Sequence, residues 1–134
     1  MGGKMPKKIL IVEDDQETSG LMKVVLQRKG FAASTAASKK EALELFEKES
    51  FDLIILDILL PKEDGFATAE IIRKKESEIP IIAVTACERH HPEFRHNDPF
   101  SELSMTYIRK PFDVKRLIET ITMRIHARSI LPDV

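Results

Sequence analysis

Short apolar runs alternate along this chain with segments whose apolar residues recur at helical spacing. The runs at residues 9–12, 53–56 and 80–85 hold almost no polar position, which is typical of parallel strands covered on both faces. Residues 32–35 and 107–109 predict two weaker strands. The pattern therefore predicts five strands, and most of the segments that separate or follow them have the period of a helix.

Three of the segments between strands, and the segment after the fifth strand, predict clear helices. Residues 16–29 form the first, and Gly30 follows it at the position of a left-handed helix stop. Ser38 and Glu41 have the spacing of a capping box that opens the second. Residues 65–75 and 113–127 are the others. The apolar positions expected to face the core from the first, second and last of these helices are Leu21, Met22, Val25, Leu26, Ala42, Leu43, Phe46, Val114, Leu117, Ile118, Ile121 and Ile125.

The segment between the fourth and fifth strands lacks a clean helical period. Residues 87–100 contain Pro92 and Pro99, and a helix running through Pro99 would lose a hydrogen bond there and clash with the preceding turn. The sequence therefore predicts a fourth helix that is short, displaced or mobile.

Alternation of strands and helices implies an α/β fold, a doubly wound parallel sheet with helices on both faces. In such sheets, binding sites form at the carboxyl ends of the strands. Glu13 and Asp14 follow the first strand, Asp57 follows the third, Thr85 ends the fourth and Lys110 follows the fifth. All five residues are therefore expected at one edge of the sheet.

Composition limits the classes of function. The 134 residues carry 21 basic and 22 acidic side chains, so the charge gives no footprint for direct binding to nucleic acid. No apolar stretch is long enough to cross a bilayer, nothing resembles a signal peptide, and the single Cys87 has no partner for an internal disulfide. A cytoplasmic domain without membrane contact is expected.

Clustered carboxylates raise one another's pKa, and a bound cation relieves that repulsion. Mg²⁺ prefers oxygen ligands and takes one or two protein carboxylates together with waters and phosphate oxygens. We expect Asp14 and Asp57 to be direct ligands, Glu13 to act through a water, and the backbone carbonyl of Leu59 to supply another oxygen.

A carboxylate beside such a cation can attack a phosphoryl group. Asp57 is expected to be the nucleophile. Lys110 would offset charge on the transferring oxygens, and the Thr85 hydroxyl would donate a hydrogen bond to the resulting acyl phosphate.

Four ordered motifs resemble the receiver domain of two-component response regulators. They are Val12-Glu13-Asp14-Asp15, Leu56-Asp57-Ile58-Leu59-Leu60-Pro61-Lys62-Glu63-Asp64-Gly65, Val84-Thr85-Ala86 and Tyr107-Ile108-Arg109-Lys110-Pro111-Phe112. The resemblance covers residues 7–128, and residues 1–6 and 129–134 are expected to be flexible termini.

The resemblance implies a flavodoxin-like sheet of order 2-1-3-4-5 and a cis bond between Lys110 and Pro111. It implies that Asp57 accepts a phosphoryl group from a sensor histidine kinase, a histidine phosphotransfer protein or a small phosphodonor, with Mg²⁺ as cofactor. It further implies a signalling switch rather than an enzyme with a separate substrate, in which Thr85 and Tyr107 move. A downstream effector domain or protein, or a second copy in a homodimer, would then bind near the fourth helix, fifth strand and fifth helix.

Other readings stay open on the sequence. A haloacid-dehalogenase-like phosphatase also uses a nucleophilic aspartate, but it needs a second aspartate where Leu59 stands. A flavodoxin-like cofactor binder needs Gly, Ser or Thr donors where residues 13–15 are all acidic. A receiver-like domain that binds partners without phosphorylation is a third alternative. A metal site at His90, His91 and His96 is disfavoured, because no paired cysteine or regular spacing accompanies them.

Overall fold

The computed structural model describes residues 5–58, 65–86, 88–89, 91 and 98–130. In this part of the chain, five strands form one parallel sheet. They are β1 (Lys8–Val12), β2 (Ala32–Ala36), β3 (Leu53–Asp57), β4 (Ile81–Thr85) and β5 (Met105–Arg109). The helices that connect and follow them are α1 (Gln16–Arg28), α2 (Lys39–Lys48), α3 (Gly65–Lys75), α4 (Pro99–Glu102) and α5 (Val114–Ile130).

The strands lie side by side in the order β2-β1-β3-β4-β5, and every pair is parallel. This confirms the predicted fold class and topology. Each predicted element is present, and most boundaries agree within one residue. The larger differences are at β5, which begins two residues earlier than predicted, and at α5, which continues to Ile130.

The sheet is covered on both faces by separate apolar clusters. One cluster lies beneath α2, α3 and α4 and includes Ala42, Ile72 and Phe100. The other lies beneath α1 and α5 and includes Leu26 and Ile121. The central strands contribute alternate residues to the two clusters because successive side chains of a strand point to opposite faces. Their apolar runs are therefore continuous in sequence.

Two side chains predicted to be buried are exposed. Leu21 is 63% exposed and Val114 is 42% exposed, at the starting halves of α1 and α5. The prediction was wrong at these positions because the apolar stripe of each helix is wider than the strip that the sheet covers. Met22 and Leu117 fill the strip instead, at 8% and 3% exposure.

The predicted helix signals appear in the structure. The Ser38 hydroxyl accepts a hydrogen bond from the Glu41 backbone N–H at 3.2 Å, which caps the start of α2. Gly30 has a φ of 93°, the left-handed conformation expected after α1.

In the described part of the connection between β4 and β5, the helix is a single turn. α4 has four residues, Pro99 occupies its first turn, and Asp98 caps it by accepting from the backbone N–H groups of Phe100 and Ser101. The prediction of a short fourth helix is confirmed. Pro99 starts this helix rather than interrupting a longer one, because the first turn has no use for the missing N–H. Pro92 lies outside the described residues.

Candidate functional site

The candidate site lies at the carboxyl edge of the sheet, where the strand register aligns the acidic residues. Val12 is level with Leu56 across the β1–β3 pair, so Glu13 leaves β1 beside Asp57 at the end of β3. Asp57 is in turn level with Val84 of β4. The buried central strands therefore position these carboxylates, and little depends on the loops that follow them.

Three carboxylates come together at this edge. Glu13, Asp14 and Asp57 each offer an oxygen atom, and these atoms lie within 4.8 Å of one another. Glu13 is buried, Asp57 is half-buried and Asp14 is exposed. The cluster is thus walled by protein on one side and open to solvent at Asp14.

The donor set fits the hard divalent cation expected from the sequence. Among the described residues, Oδ1 of Asp57 is buried and accepts no hydrogen bond, although a buried acceptor without a partner is costly. Oxygen ligands of this kind suit Mg²⁺, which keeps several of its waters on an open side. Glu13, Asp14 and Asp57 would hold it. Leu59, whose carbonyl was predicted to be a further ligand, lies outside the described residues.

Lys110 reaches across the sheet edge to the two buried acids. Its Nζ lies 3.0 Å from Oε1 of Glu13 and 3.2 Å from Oδ2 of Asp57. Its backbone N–H donates to the carbonyl oxygen of Thr85 at 2.8 Å, which ties the end of β5 to the end of β4. The Lys110–Pro111 bond is cis, as the resemblance implied.

The charges of these groups shift one another's pKa. Burial, together with the neighbouring carboxylate of Glu13, raises the pKa of Asp57 to about 7. Burial also acts to raise the pKa of Glu13, but hydrogen bonds from Lys110 and from the backbone of Asp15 outweigh it and lower that pKa. For Lys110, burial disfavours the charged ammonium, yet the two carboxylates raise its pKa overall. Asp57 is therefore the acid whose charge is least stabilised by the protein.

The other two predicted site residues lie on neighbouring strands. Thr85 is fully buried at the end of β4, and its hydroxyl donates to the carbonyl oxygen of Ile58, directly after Asp57. Tyr107 is half-buried on β5, and its ring meets Phe100 edge-to-face at 5.0 Å between centroids. Thr85 thus lies within one residue of the acid cluster, whereas Tyr107 lies against α4.

Position 65, at the carboxyl edge of the sheet, requires glycine because there is no space for a side chain. A Cβ there would lie 2.8 Å from Cγ1 of Ile58 and 3.2 Å from its Cα. No local pattern in the sequence indicates this contact. The start of α3 is therefore pressed against the residue that follows Asp57.

A small cavity adjoins the acids. It has a volume of about 20 Å³ and lies between the ends of β1 and β3 and the starts of α2 and α3, with Asp14, Ser38, Asp57 and Thr68 in its wall. A space of this size holds about one water molecule. The cluster therefore has room on its β1–β3 side for a bridging water.

Sequence reasoning missed a second group of polar residues beyond β4. Arg89 contacts Asp98, Ser101 and the ring of Tyr107. The Asp-Pro pair at residues 98–99 is a recognisable helix-start signal. No signal in the sequence links Arg89 to Asp98, because the two residues are nine positions apart and no helical or strand spacing relates them.

Fold and site together define a flavodoxin-like α/β domain with a carboxylate–lysine cluster at the carboxyl edge of its sheet. The family model described as "Response regulator receiver domain" matches residues 9–122. The chain therefore belongs to the receiver domain family of two-component response regulators.

Named relatives agree with this assignment. The chain is 38% identical over 130 residues to a probable transcriptional regulator, ycf27, of Cyanidium caldarium, covering 94% of this chain and 50% of that protein. It is 32% identical over 120 residues to the alkaline phosphatase synthesis transcriptional regulatory protein PhoP of Bacillus subtilis, covering 90% and 50%. The chain thus spans about half the length of these curated relatives.

Solved structures of response regulators have a similar fold. A CheY-like response regulator receiver domain protein from Methanospirillum hungatei superposes with a TM-score of 0.83 at 28% identity, over 92% of this chain and 97% of that one. The response regulator TrrA of Thermotoga maritima, solved in complex with Mg²⁺ and BeF, gives a TM-score of 0.73 at 33% identity, over 88% and 98%.

Proposed function

We propose that Asp57 is the phosphoacceptor of this receiver domain and that phosphorylation requires Mg²⁺ at the cluster of Glu13, Asp14 and Asp57. The observation that carries the proposal is the state of the Asp57 carboxylate. One of its oxygens lies 3.2 Å from Lys110, and the other is buried without a hydrogen-bond partner among the described residues. A carboxylate held in this way is oriented by Lys110 through one oxygen, and within the described part of the chain its other oxygen has no competing hydrogen bond that would keep it from a metal ion.

The reaction transfers one phosphoryl group. An oxygen of Asp57 attacks phosphorus, the bond from phosphorus to the donor's imidazole nitrogen breaks, and that nitrogen keeps the electron pair. Mg²⁺, when bound, supplies positive charge beside the transferring oxygens. Lys110 supplies further positive charge, and its contact with Glu13 keeps its ammonium at the sheet edge.

Thr85 and Tyr107 are proposed to transmit the change. The Thr85 hydroxyl lies next to Asp57 in the fold and would exchange its carbonyl partner for a phosphate oxygen. Tyr107 lies on β5, two positions before Arg109, and Arg109 pairs with Thr85 of β4. Thr85 and Tyr107 therefore lie on adjacent, paired strands. The phosphate would receive two charge-assisted hydrogen bonds, one from Thr85 and one from Lys110, of about 1.5–3 kcal/mol each. Together they are comparable with the roughly 5 kcal/mol that a full shift between the two states needs.

The donor would be a sensor histidine kinase or a histidine phosphotransfer protein, and the recipient of the signal a downstream effector domain or protein. The relatives named as transcriptional regulators support an effector that acts on transcription.

Direct contact of this domain with nucleic acid is not part of the proposal, because its net charge is −1. Among the described residues, no helix has the length and apolar character needed to span a membrane. Placement in the cytoplasm stays a prediction, as does a homodimer.

The proposal is tested by mass spectrometry after incubation with acetyl phosphate. The wild-type protein should gain the mass of one phosphoryl group with Mg²⁺ and none with EDTA. Asp57→Asn should gain none under either condition. Asp52→Asn is the matched control, because Asp52 lies at the opposite end of β3, where its carboxylate accepts a hydrogen bond from the backbone of Lys8. Equal mass gain in wild type and Asp57→Asn would refute the proposal.

The same preparation separates a switch from an enzyme. A receiver domain should return its phosphoryl group to water once per cycle and should not turn over a phosphomonoester. Sustained release of phosphate from p-nitrophenyl phosphate, lost in Asp57→Asn, would instead favour the phosphatase reading.

A further inference from the structure

Arg89 joins the chain after β4 to the start of α4. Its Nε donates to Oδ2 of Asp98 at 3.1 Å, and its NH2 group donates to the Ser101 hydroxyl at 2.9 Å. Ser101 donates to the same Asp98 oxygen at 3.1 Å. The guanidinium group is therefore held in one orientation by two partners on α4 or its cap.

That orientation places the guanidinium against the ring of Tyr107. The central carbon of the Arg89 guanidinium lies 6.0 Å from the ring centroid, at the outer limit of a cation–π contact. Phe100 contacts the same ring edge-to-face at 5.0 Å and is itself packed edge-to-face on Phe66 at 5.3 Å. Tyr107 thus contacts both a fully buried aromatic ring and a tethered cation.

We infer that Arg89 is a positioning residue for Tyr107: by bridging to Asp98 and Ser101 it holds the Tyr107 ring against Phe100 and opposes the rotamer change of the switch. The inference rests on the proposed function in one respect, namely that Tyr107 moves when Asp57 is modified. The guanidinium group of Arg89 makes both the contact with the Tyr107 ring and the ion pair with Asp98. Weakening either interaction should therefore release the ring. The start of α4 is consequently coupled to the switch residue through Arg89 as well as through the direct contact of Phe100.

The composition of the chain gives this inference a direct readout. Tyr107 is the only tyrosine among the 134 residues, and the chain contains no tryptophan. Intrinsic fluorescence excited in the tyrosine band therefore reports on Tyr107 alone. Collisional quenching by acrylamide measures how often the ring is accessible to solvent.

The test compares wild type with Arg89→Ala, Arg89→Lys and Asp98→Asn. Arg89→Ala should increase the acrylamide quenching constant. It should also lower the midpoint of a titration with Mg²⁺ and beryllium fluoride by about two- to fivefold, the size of an exposed cation–π contact. Arg89→Lys should fall between wild type and Arg89→Ala, because an ammonium group keeps the charge but cannot bridge to both partners. Asp98→Asn keeps the helix cap and removes the ion pair, so it should also increase quenching.

Arg109→Ala is the matched control. Arg109 forms an exposed ion pair with Glu88 at 3.6 Å, so the substitution removes the same charge and one ion pair from the same region without contact to Asp98 or Ser101. Its quenching constant and midpoint should equal those of wild type. In addition, the double variant Arg89→Ala with Asp98→Asn should quench no more than Arg89→Ala alone, since both act through one contact.

Two failures can be told apart. If wild type gains no phosphoryl mass from acetyl phosphate, the proposed function fails whatever the fluorescence reports. If wild type gains mass and Arg89→Ala matches Arg109→Ala in quenching, or its midpoint stays the same or rises, this inference is overturned and the proposed function stands. Should Arg89→Ala fail to fold, Asp98→Asn and Arg89→Lys decide the matter by the quenching constant.

Discussion

The carboxyl edge around Asp57 and the β4–β5 connection around α4 are organised by different means. At the edge, side chains distant in sequence are aligned by the register of buried strands, as Glu13 and Lys110 are. In the connection, the structure depends on local contacts: Asp98 caps a four-residue helix, and Phe100 anchors it in the core. The first region matches the receiver pattern closely, whereas the described part of the second contains a single helical turn.

This difference shows which parts of the fold tolerate change. A strand buried on both faces cannot shift its register without moving its apolar side chains out of place, so the acids at its end keep their positions. A connecting segment meets the core through few side chains, and its length and helix content can vary. The chemistry of the site is therefore better determined than the surface that would carry the output.

The largest effect is expected from Phe100→Ala. Phe100 is fully buried and is the main apolar anchor of α4, so its truncation should lower the free energy of unfolding by about 3–5 kcal/mol. Chemical denaturation followed by circular dichroism measures this. Phe66→Ala is the matched control, because Phe66 is only half-buried and should cost less. An equal loss in both variants would contradict the role of Phe100 as the anchor of the connection.

A smaller effect is expected at the site edge from Gly65→Ala. The new methyl group would meet Ile58 at 2.8 Å, and the resulting overpacking should cost about 1–3 kcal/mol of unfolding free energy. Gly20→Ala is the control, because a Cβ at Gly20, inside α1, meets nothing within 4 Å. It should instead stabilise the protein by about 0.5–1 kcal/mol. If the two substitutions shift the denaturation midpoint in the same direction, the close contact between position 65 and Ile58 does not determine the stability of this edge.

The smallest expected effect concerns pH. The pKa of Asp57 is raised to about 7 from 3.8, so the folded protein binds this proton more tightly than the unfolded chain does. The stabilisation from this group is therefore complete below the unfolded pKa and is lost as pH rises towards 7. Mg²⁺ competes with the same proton, so its affinity should increase with pH, by up to about tenfold per unit below pH 7.

Calorimetric titration with Mg²⁺ at about one pH unit below and above 7 measures this dependence. Asp57→Asn should bind Mg²⁺ weakly at both values, because it lacks the charge. An affinity for Mg²⁺ that is independent of pH in the wild-type protein would show that Asp57 is already ionised at the lower pH, and would break the link between burial and its raised pKa.

Much of the fold follows from local pattern. Continuous apolar runs mark β1, β3 and β4, and the Ser38 and Glu41 pair marks the start of α2. The acids and Lys110 could be placed at one edge because the carboxyl ends of parallel strands coincide. Leu21 was placed wrongly because periodicity identifies an apolar stripe but not how much of it the sheet covers. The contacts of Arg89 and Gly65 could not be predicted, since they depend on where separate segments of the chain approach one another.

By itself, the sequence determined the order of the elements, the parallel topology and the identity of the acids, because hydrophobic period and strand polarity are local properties of the chain. Only the tertiary structure decided that Lys110 contacts both Glu13 and Asp57, and that Arg89 lies over the ring of Tyr107. Those contacts join residues separated by long stretches of sequence. Their distances follow from the packing of the helices on the sheet, which no local pattern specifies.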